Sequence, residues 1–338
     1  MSVFDIRDLT RPIIVAPMAG GPSTPELVAA GGNAGGLGFV AAGYLSGEVF
    51  AERVAAAQAL ASGPLGVNLF VPQPSTAGDG DVAAYAGELA PDAQRYGVAP
   101  GDPRFDDDAW AAKLDVVGDL RPEVVSFTFG LPSAEEAARL RGAGISMVGT
   151  VTTVGEARAA VERGMDAIAV QGPGAGGHRG TFDPTARPSP QPLEELLAAV
   201  LAACDVPVVA AGGLIDADDV AAVLERGAVA AQLGTAFLLS EESGSSPVHR
   251  AALTDPQFTE TVVTKAFSGR YARGLRNRFV DDHDEQAPLA YPQVHYLTSP
   301  LRAAAVRAGD PHGVNIWAGT AFQSATTGSV ADIMARLS

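Results

Sequence analysis

Short, continuously apolar runs alternate along the chain with longer stretches in which apolar residues recur at helical spacing. Eight of these runs are rich in β-branched residues and predict strands at 13–16, 37–42, 65–70, 124–129, 146–151, 167–172, 207–212 and 229–234. Strands that are apolar throughout, rather than at every second position, are typical of a parallel sheet covered by helices. The pattern therefore predicts an α/β protein built around parallel strands.

The stretches between these runs predict helices at 24–32, 47–62, 133–142, 153–163, 192–203 and 216–226, with two more, 81–96 and 104–119, in the long segment after the third strand. Thr153 and Glu156 have the spacing of a capping box, and Asp216 is a favourable N-cap residue. Eight strands joined by helical crossovers match a (β/α)8 TIM barrel. A doubly wound open sheet is the alternative, although it usually has fewer strands.

The regular alternation ends after residue 239. A helical stretch (247–255), a strand-like stretch (258–266), a loop (281–288) and a further helix (295–308) follow. We therefore predict a second, smaller α+β domain. The predicted division assigns residues 1–239 and 285–312 to the barrel, and residues 240–284 and 313–338 to a small domain that caps the substrate.

Composition narrows the classes of partner. The 338 residues are 47% apolar, and 23 basic against 39 acidic residues give a net charge of −16. This charge disfavours nucleic acid or an anionic membrane as the main partner. The single cysteine excludes an internal disulfide, and we find neither a secretory signal nor an apolar run long enough to span a membrane. We expect a cytoplasmic protein with a small-molecule substrate, and a homo-oligomer remains open.

Amides and glycines follow the predicted strands at the end where TIM barrels place their chemistry. The residues at these strand ends and in the loops that follow include Pro17, Met18, Ala19, Asn68, Gln171, Gly176, Gly212, Gly213, Gln232, Leu233, Gly234 and Thr235. By residue chemistry, the candidates for binding a cofactor are Asn68, Gln171 and the pairs 212–213 and 234–235. Glycines after the seventh and eighth strands allow backbone N–H groups to approach a phosphate, although tight turns also need glycine. The two amides suit a heterocycle with mixed donors and acceptors, or are simply buried. No cluster has the spacing of a metal site, so we predict no metal.

The segment QGPGAGGHRGTF (171–182) surrounds one histidine, His178, with five glycines. It does not fit a dinucleotide-binding motif, because it lies late in the chain and no acidic residue follows at the required distance. One interpretation is a mobile loop with a solvated histidine. The position after the sixth strand favours the other interpretation, a catalytic imidazole beside a cofactor.

Five separate segments together point to a known family. They are residues 16–44 (APMAGGPSTPELVAAGGNAGGLGFVAAGY), 66–70 (GVNLF), 171–182, 207–240 (PVVAAGGLIDADDVAAVLERGAVAAQLGTAFLLS) and 267–277 (FSGRYARGLRN). These segments resemble the nitronate monooxygenases, formerly called 2-nitropropane dioxygenases. The resemblance implies an FMN-dependent TIM barrel that oxidises alkyl nitronates with O2 to carbonyl compounds and nitrite. Propionate 3-nitronate is the toxic natural substrate usually associated with this family, which implies a role in detoxification.

The resemblance also implies roles for particular residues. Asn68, Gln171, Gly176, Gly213 and the run 232–235 would contact FMN, the loop at 16–18 would lie against the flavin ring, and His178 would be catalytic. The segment 291–300 resembles one that supplies a tyrosine to the substrate pocket, which leaves Tyr291 and Tyr296 as candidates. The sequence WAGT at 317–320 departs from the family's frequent WAGQ. Arg270 and Arg273 are expected near the cofactor.

Two other functions remain open at this stage. NAD(P)H-dependent flavin reductases, which reduce quinones or enoyl thioesters, use the same barrel and the same flavin motifs. A flavin-binding redox sensor without turnover would also share those motifs, although it would need neither His178 nor the arginines.

Overall fold

The computed structural model describes residues 4–338. Residues 1–3 lie outside this range. They are part of the first predicted domain and of the N-terminal stretch in which we find no secretory signal. Eight parallel strands form a closed barrel, in which β1 pairs with both β2 and the last strand. They are β1 (Ile13–Val15), β2 (Leu37–Ala41), β3 (Leu65–Phe70), β4 (Val124–Thr128), β5 (Ser146–Val151), β6 (Ala167–Gln171), β8 (Val208–Ala211) and β9 (Ala230–Leu233). All eight lie within the predicted runs, and the predicted fold class is confirmed.

Helices cover the outside of the barrel at the predicted positions. They are α1 (Pro25–Asn33), α2 (Gly47–Leu60), α6 (Ala134–Gly142), α7 (Val154–Glu162), α8 (Leu193–Leu201) and α9 (Ala217–Glu225). Thr153 and Asp216 both cap their helices through the side-chain oxygen, as expected. Glu156, however, directs its carboxylate to the N–H of Thr152 rather than to that of Thr153.

The segment between β3 and β4 contains three helices where two were predicted. They are α3 (Asp79–Glu88), α4 (Ala90–Tyr96) and α5 (Trp110–Leu120). The predicted helix 81–96 breaks at Leu89 because Pro91 lacks an N–H and is tolerated only in the first turn of a helix. Leu89 and Tyr85 are buried in an apolar cluster that also contains Leu297 and Leu301.

The chain after the barrel adds four α-helices and two strands. They are α10 (Pro247–Thr254), β10 (Thr261–Thr264), β11 (Ala272–Leu275), α11 (Arg278–His283), α12 (Gln293–Ala308) and α13 (Val330–Arg336). Two 3₁₀ turns lie at Pro311–Gly313 and Phe322–Ser324. The predicted loop 281–288 begins inside α11, because Asn277 caps a helix there. The side chains of Val330, Ile333 and Met334 belong to the apolar core of the barrel. The predicted division into two domains stays a prediction.

A second sheet connects this C-terminal region to the barrel. The strands β10, β11 and β7 (Gly177–His178) pair antiparallel, with Ala272 opposite His178 and Arg273 opposite Gly177. Two residues of the glycine-rich segment therefore form a short strand, and His178 on that strand is half-buried rather than fully solvated. Within residues 4–338, no helix is long and apolar enough to cross a membrane.

Candidate active site

A cavity of about 530 Å³ opens at the carboxyl ends of the barrel strands. Its walls include all the candidate cofactor-binding residues, namely Pro17, Met18, Ala19, Asn68, Gln171, Gly176, Gly212, Gly213, Gln232, Leu233, Gly234 and Thr235, and also His178. Sequence reasoning missed further lining residues, which are Tyr44, His249, Ser268, His295, Arg302 and Trp317. These lie outside the barrel strands, on loops and helices whose positions follow only from the fold.

Glycine backbone forms one wall of the cavity. Gly212 and Gly213 have φ angles of +106° and +87°, and a Cβ on Gly212 would lie 2.9 Å from the carbonyl oxygen of Gly172. Glycine is therefore required at Gly212 both by conformation and by close packing. Among the described residues, no protein acceptor is found for the N–H of Gly213 or Gly234. These two N–H groups are therefore free to bind an anion such as a phosphate.

The C-terminal segment holds this wall in place. The N–H of Gly319 donates to Thr235 Oγ1 at 2.9 Å, and the N–H of Thr320 donates to the carbonyl of Gly174 at 3.1 Å. A Cβ on Gly176 would lie 2.5 Å from the carbonyl carbon of Ala318. The residues WAGT at 317–320 therefore contact the glycine loop mainly through their backbone.

The two candidate amide side chains differ in which hydrogen-bonding groups remain available to a ligand. Asn68 is buried, and its Nδ2 donates to Ser126 Oγ at 2.9 Å and to Thr128 Oγ1 at 3.1 Å, which leaves Oδ1 as an acceptor. Gln171 uses both ends of its side chain within the loop: Nε2 donates to the His178 carbonyl at 3.0 Å, and Oε1 accepts from the Gly180 N–H at 2.9 Å. Gln171 therefore positions the histidine strand, with one N–H left for a ligand.

The imidazole of His178 is held by a serine from the second sheet. His178 Nε2 lies 2.9 Å from Ser268 Oγ, and the Ser268 hydroxyl donates to the Arg270 carbonyl at 3.2 Å. Because that hydroxyl proton is already used, Ser268 Oγ accepts from His178 Nε2–H. This pattern assigns the lone pair of the neutral imidazole to Nδ1.

Aromatic rings and positive charge surround the imidazole. The ring centroids of Phe129, Tyr291 and Trp317 each lie 5.7 Å from that of His178. Burial, together with the charges of Arg270 and Arg302, lowers the pKa of His178 to about 3. The imidazole is therefore neutral near pH 7 and can accept a proton.

One buried and one half-buried arginine, Arg270 and Arg273, hold the histidine segment. Arg270 donates to Gln73 Oε1 at 2.6 Å and to the Thr181 carbonyl, and its guanidinium lies 3.9 Å from the centroid of Phe129. Arg273 donates to the Pro173 carbonyl at 3.0 Å. Among residues 4–338, neither guanidinium is within ion-pair distance of a carboxylate. Each therefore binds a backbone carbonyl in the segment 171–182, which carries His178: Arg270 binds that of Thr181 and Arg273 binds that of Pro173.

The two candidate tyrosines occupy different surroundings. Tyr291 packs against His178, whereas the Tyr296 ring lies 3.8 Å below the guanidinium of Arg104. Both line a small separate cavity of about 20 Å³ beside the main one. Neither of the two lines the main cavity, and Tyr291 is the one whose ring packs against His178. Tyr44, which has a φ of +68° and stacks on His295 with centroids 3.9 Å apart, lines the main cavity directly.

Fold and site together define a barrel enzyme whose cavity is lined by a glycine wall and by a neutral, oriented histidine. Comparison with known proteins identifies its family: the chain belongs to the nitronate monooxygenases, whose family model matches residues 5–338. Membership makes the protein an oxidoreductase that acts on nitronates, and enzymes of this family typically depend on a flavin.

Individual relatives agree with this assignment. A probable nitronate monooxygenase from Staphylococcus aureus (strain Newman) is 37% identical over 336 residues, which cover 96% of this chain and 93% of the relative. The structure of nitroalkane oxidase from Streptomyces ansochromogenes is 47% identical and superposes with a TM-score of 0.93, over 98% of this chain and 95% of that one. FabK from Thermotoga maritima has 25% identity and a TM-score of 0.75, over 98% and 93% of the two chains.

Proposed function

We propose that this enzyme binds FMN and oxidises alkyl nitronates, such as propionate 3-nitronate, with O2 to a carbonyl compound and nitrite. The observation that carries the proposal is the position of His178. A neutral imidazole with an assigned tautomer lines the same cavity as the glycine wall. Recognition of a cofactor and proton transfer can therefore occur in one enclosed space.

The cavity residues fit FMN as the particular flavin. The free N–H groups of Gly213 and Gly234 would hold its phosphate, and Asn68 Oδ1 would accept from the N–H edge of the ring. Met18 lies within 3.6 Å of where a Cβ on Gly234 would be, so the loop that contains Pro17, Met18 and Ala19 borders the same wall and would lie against the ring. Bound FMN would supply the electron acceptor for nitronate oxidation.

The protein's own residues prepare the substrate. His178 Nδ1 would take the α-proton from a neutral nitroalkane, because its lone pair is free and its Nε2–H is held by Ser268. The aromatic rings pack around it, and the nearby guanidinium charge of Arg270 would favour the nitronate anion that results. A preformed nitronate would need only binding and orientation.

Purified protein tests the proposal in two stages. The protein should be yellow, and acid should release FMN, identified by its mass. The loaded enzyme should then consume O2 with propionate 3-nitronate and release nitrite. A colourless protein that takes up no FMN on reconstitution would contradict the cofactor, and a yellow protein that produces no nitrite would contradict the reaction.

The runner-up is an NAD(P)H-dependent flavin reductase on the same barrel. Anaerobic mixing distinguishes it, because the flavin should be bleached within seconds by its true reductant. We expect bleaching by propionate 3-nitronate. Rapid bleaching by NADH or NADPH, with no nitronate turnover, would favour the reductase.

A further inference from the structure

The helix α12 places a cation, Arg302, in the wall of the cavity. The guanidinium of Arg302 is half-buried and lines the cavity together with Ala303, Val306 and Asn315. It differs from Arg270 and Arg273, which do not line the cavity.

All hydrogen-bond partners of Arg302 among the described residues are neutral. Nε donates to Thr298 Oγ1 at 3.1 Å, and Nη1 donates to Asn315 Oδ1 at 3.2 Å. Nη2 donates to the His295 carbonyl at 2.9 Å and to Ser299 Oγ at 2.8 Å, and it lies 3.2 Å from His295 Nδ1. These contacts fix the orientation of the guanidinium without neutralising its charge.

No carboxylate in residues 4–338 lies within ion-pair distance of Arg302. A chain with 16 more acidic than basic residues has many potential partners, so an uncompensated cation inside a cavity is unexpected. Burial lowers the pKa of Arg302 to about 10, and the group therefore stays charged near pH 7. A half-buried charge without a counter-ion is unfavourable unless a ligand supplies one.

We infer that Arg302 binds an anionic group on the tail of the substrate and selects nitronates that carry a carboxylate away from the nitro carbon. The inference rests on the proposed function. Nη1 uses only one of its two N–H bonds within the protein, so a carboxylate would accept one charge-assisted hydrogen bond from the other. The nitronate would lie at His178, and the tail would extend along α12.

Two substrates with the same number of carbons isolate the tail. Propionate 3-nitronate has a carboxylate where propyl 1-nitronate has a methyl group, and the nitronate group is common to both. The quantity to measure is the ratio of their kcat/KM values. In the wild type this ratio should favour the carboxylate substrate.

Arg302→Gln should lower this ratio roughly 10- to 100-fold, the range expected for one lost charged hydrogen bond, mainly through KM for propionate 3-nitronate. Arg302→Lys should give an intermediate ratio, because it keeps the charge and loses the fixed orientation of the guanidinium. Arg307→Gln is the matched control, since Arg307 is on the same helix, exposed and not part of the cavity wall. Its ratio should equal that of the wild type.

Turnover of propyl 1-nitronate shows that each variant is folded. Equal losses on both substrates in Arg302→Gln, or an unchanged ratio, would overturn the inference.

If the wild type oxidises neither nitronate, the proposed function fails, and calorimetry with 3-nitropropionate then tests Arg302 separately. Weaker binding in Arg302→Gln than in Arg307→Gln would support the tail site, and equal binding would overturn it.

Discussion

The two sides of the cavity are built in opposite ways. The glycine wall consists of backbone from the loops after β6, β8 and β9, and its useful groups are N–H bonds such as those of Gly213 and Gly234. The opposite wall consists of side chains from distant segments, among them Tyr44, His178 and Arg302. A backbone wall is damaged by almost any added side chain, whereas a side-chain wall loses one specific function with each substitution.

The largest effect should come from the side-chain wall. His178→Asn removes the proton acceptor and should lower turnover of neutral nitroalkane by about 10²- to 10⁴-fold, with FMN content unchanged. Preformed nitronate requires no deprotonation and should lose much less. Oxygen consumption with both substrate forms measures the difference.

The pH dependence sharpens this prediction. The pKa of His178 is depressed to about 3, so its base form is fully present from about pH 5 upward and is lost only as the pH falls through about 3. The wild-type rate with neutral nitroalkane should therefore show no acidic limb from His178 between about pH 5 and 8. A limb near pH 6.5 that disappears in His178→Asn would show that the imidazole titrates normally.

The backbone wall should respond next most strongly. Gly213→Asp places a carboxylate where N–H groups are expected to meet phosphate, and it forces a side chain onto a φ of +87°. Like-charge contact costs several kcal/mol, so FMN should bind at least about 100-fold more weakly. Fluorescence titration with FMN measures the affinity.

Gly144→Asp provides the control for this substitution. Gly144 has a φ of +79° with open space around it, and it does not line the cavity. It should show comparable backbone strain and unchanged FMN affinity. If the two aspartate variants bind FMN equally well, the phosphate lies elsewhere.

The smallest effect concerns the arginines behind His178. Arg270→Met leaves the Thr181 carbonyl and Gln73 Oε1 without their donor and removes a cation–π contact, which should destabilise the fold by about 3 kcal/mol. Urea denaturation measures the free energy of unfolding.

Arg276→Met is the matched control from the same cluster. Arg276 is exposed and pairs with Glu260 and Asp281 at the surface, so its loss should change the free energy of unfolding by less than about 1 kcal/mol. Equal effects of the two substitutions would contradict the distinction between buried and surface arginines.

Comparison of the two walls also explains which parts of the site could be predicted from the sequence and which could not. The glycine wall was predictable because each of its motifs immediately follows an apolar strand, and closure of the barrel brings those strand ends to one rim. The strand β7 was not predictable. Two residues with glycine neighbours carry no strand periodicity, and the pairing of His178 with Ala272 joins positions far apart in the chain.

The sequence by itself determined the barrel, its capped helices and the glycines that its tight loops require, because these depend on local periodicity and on backbone conformation. Only the tertiary structure decided which side chains face the glycine wall. Tyr291 packs against His178 while Tyr296 lies beside Arg104, and Arg302 lines the cavity while Arg307, five residues later on α12, is exposed. Such choices depend on how α12 is rotated against the barrel, and that rotation is set by packing between residues that are distant in the chain.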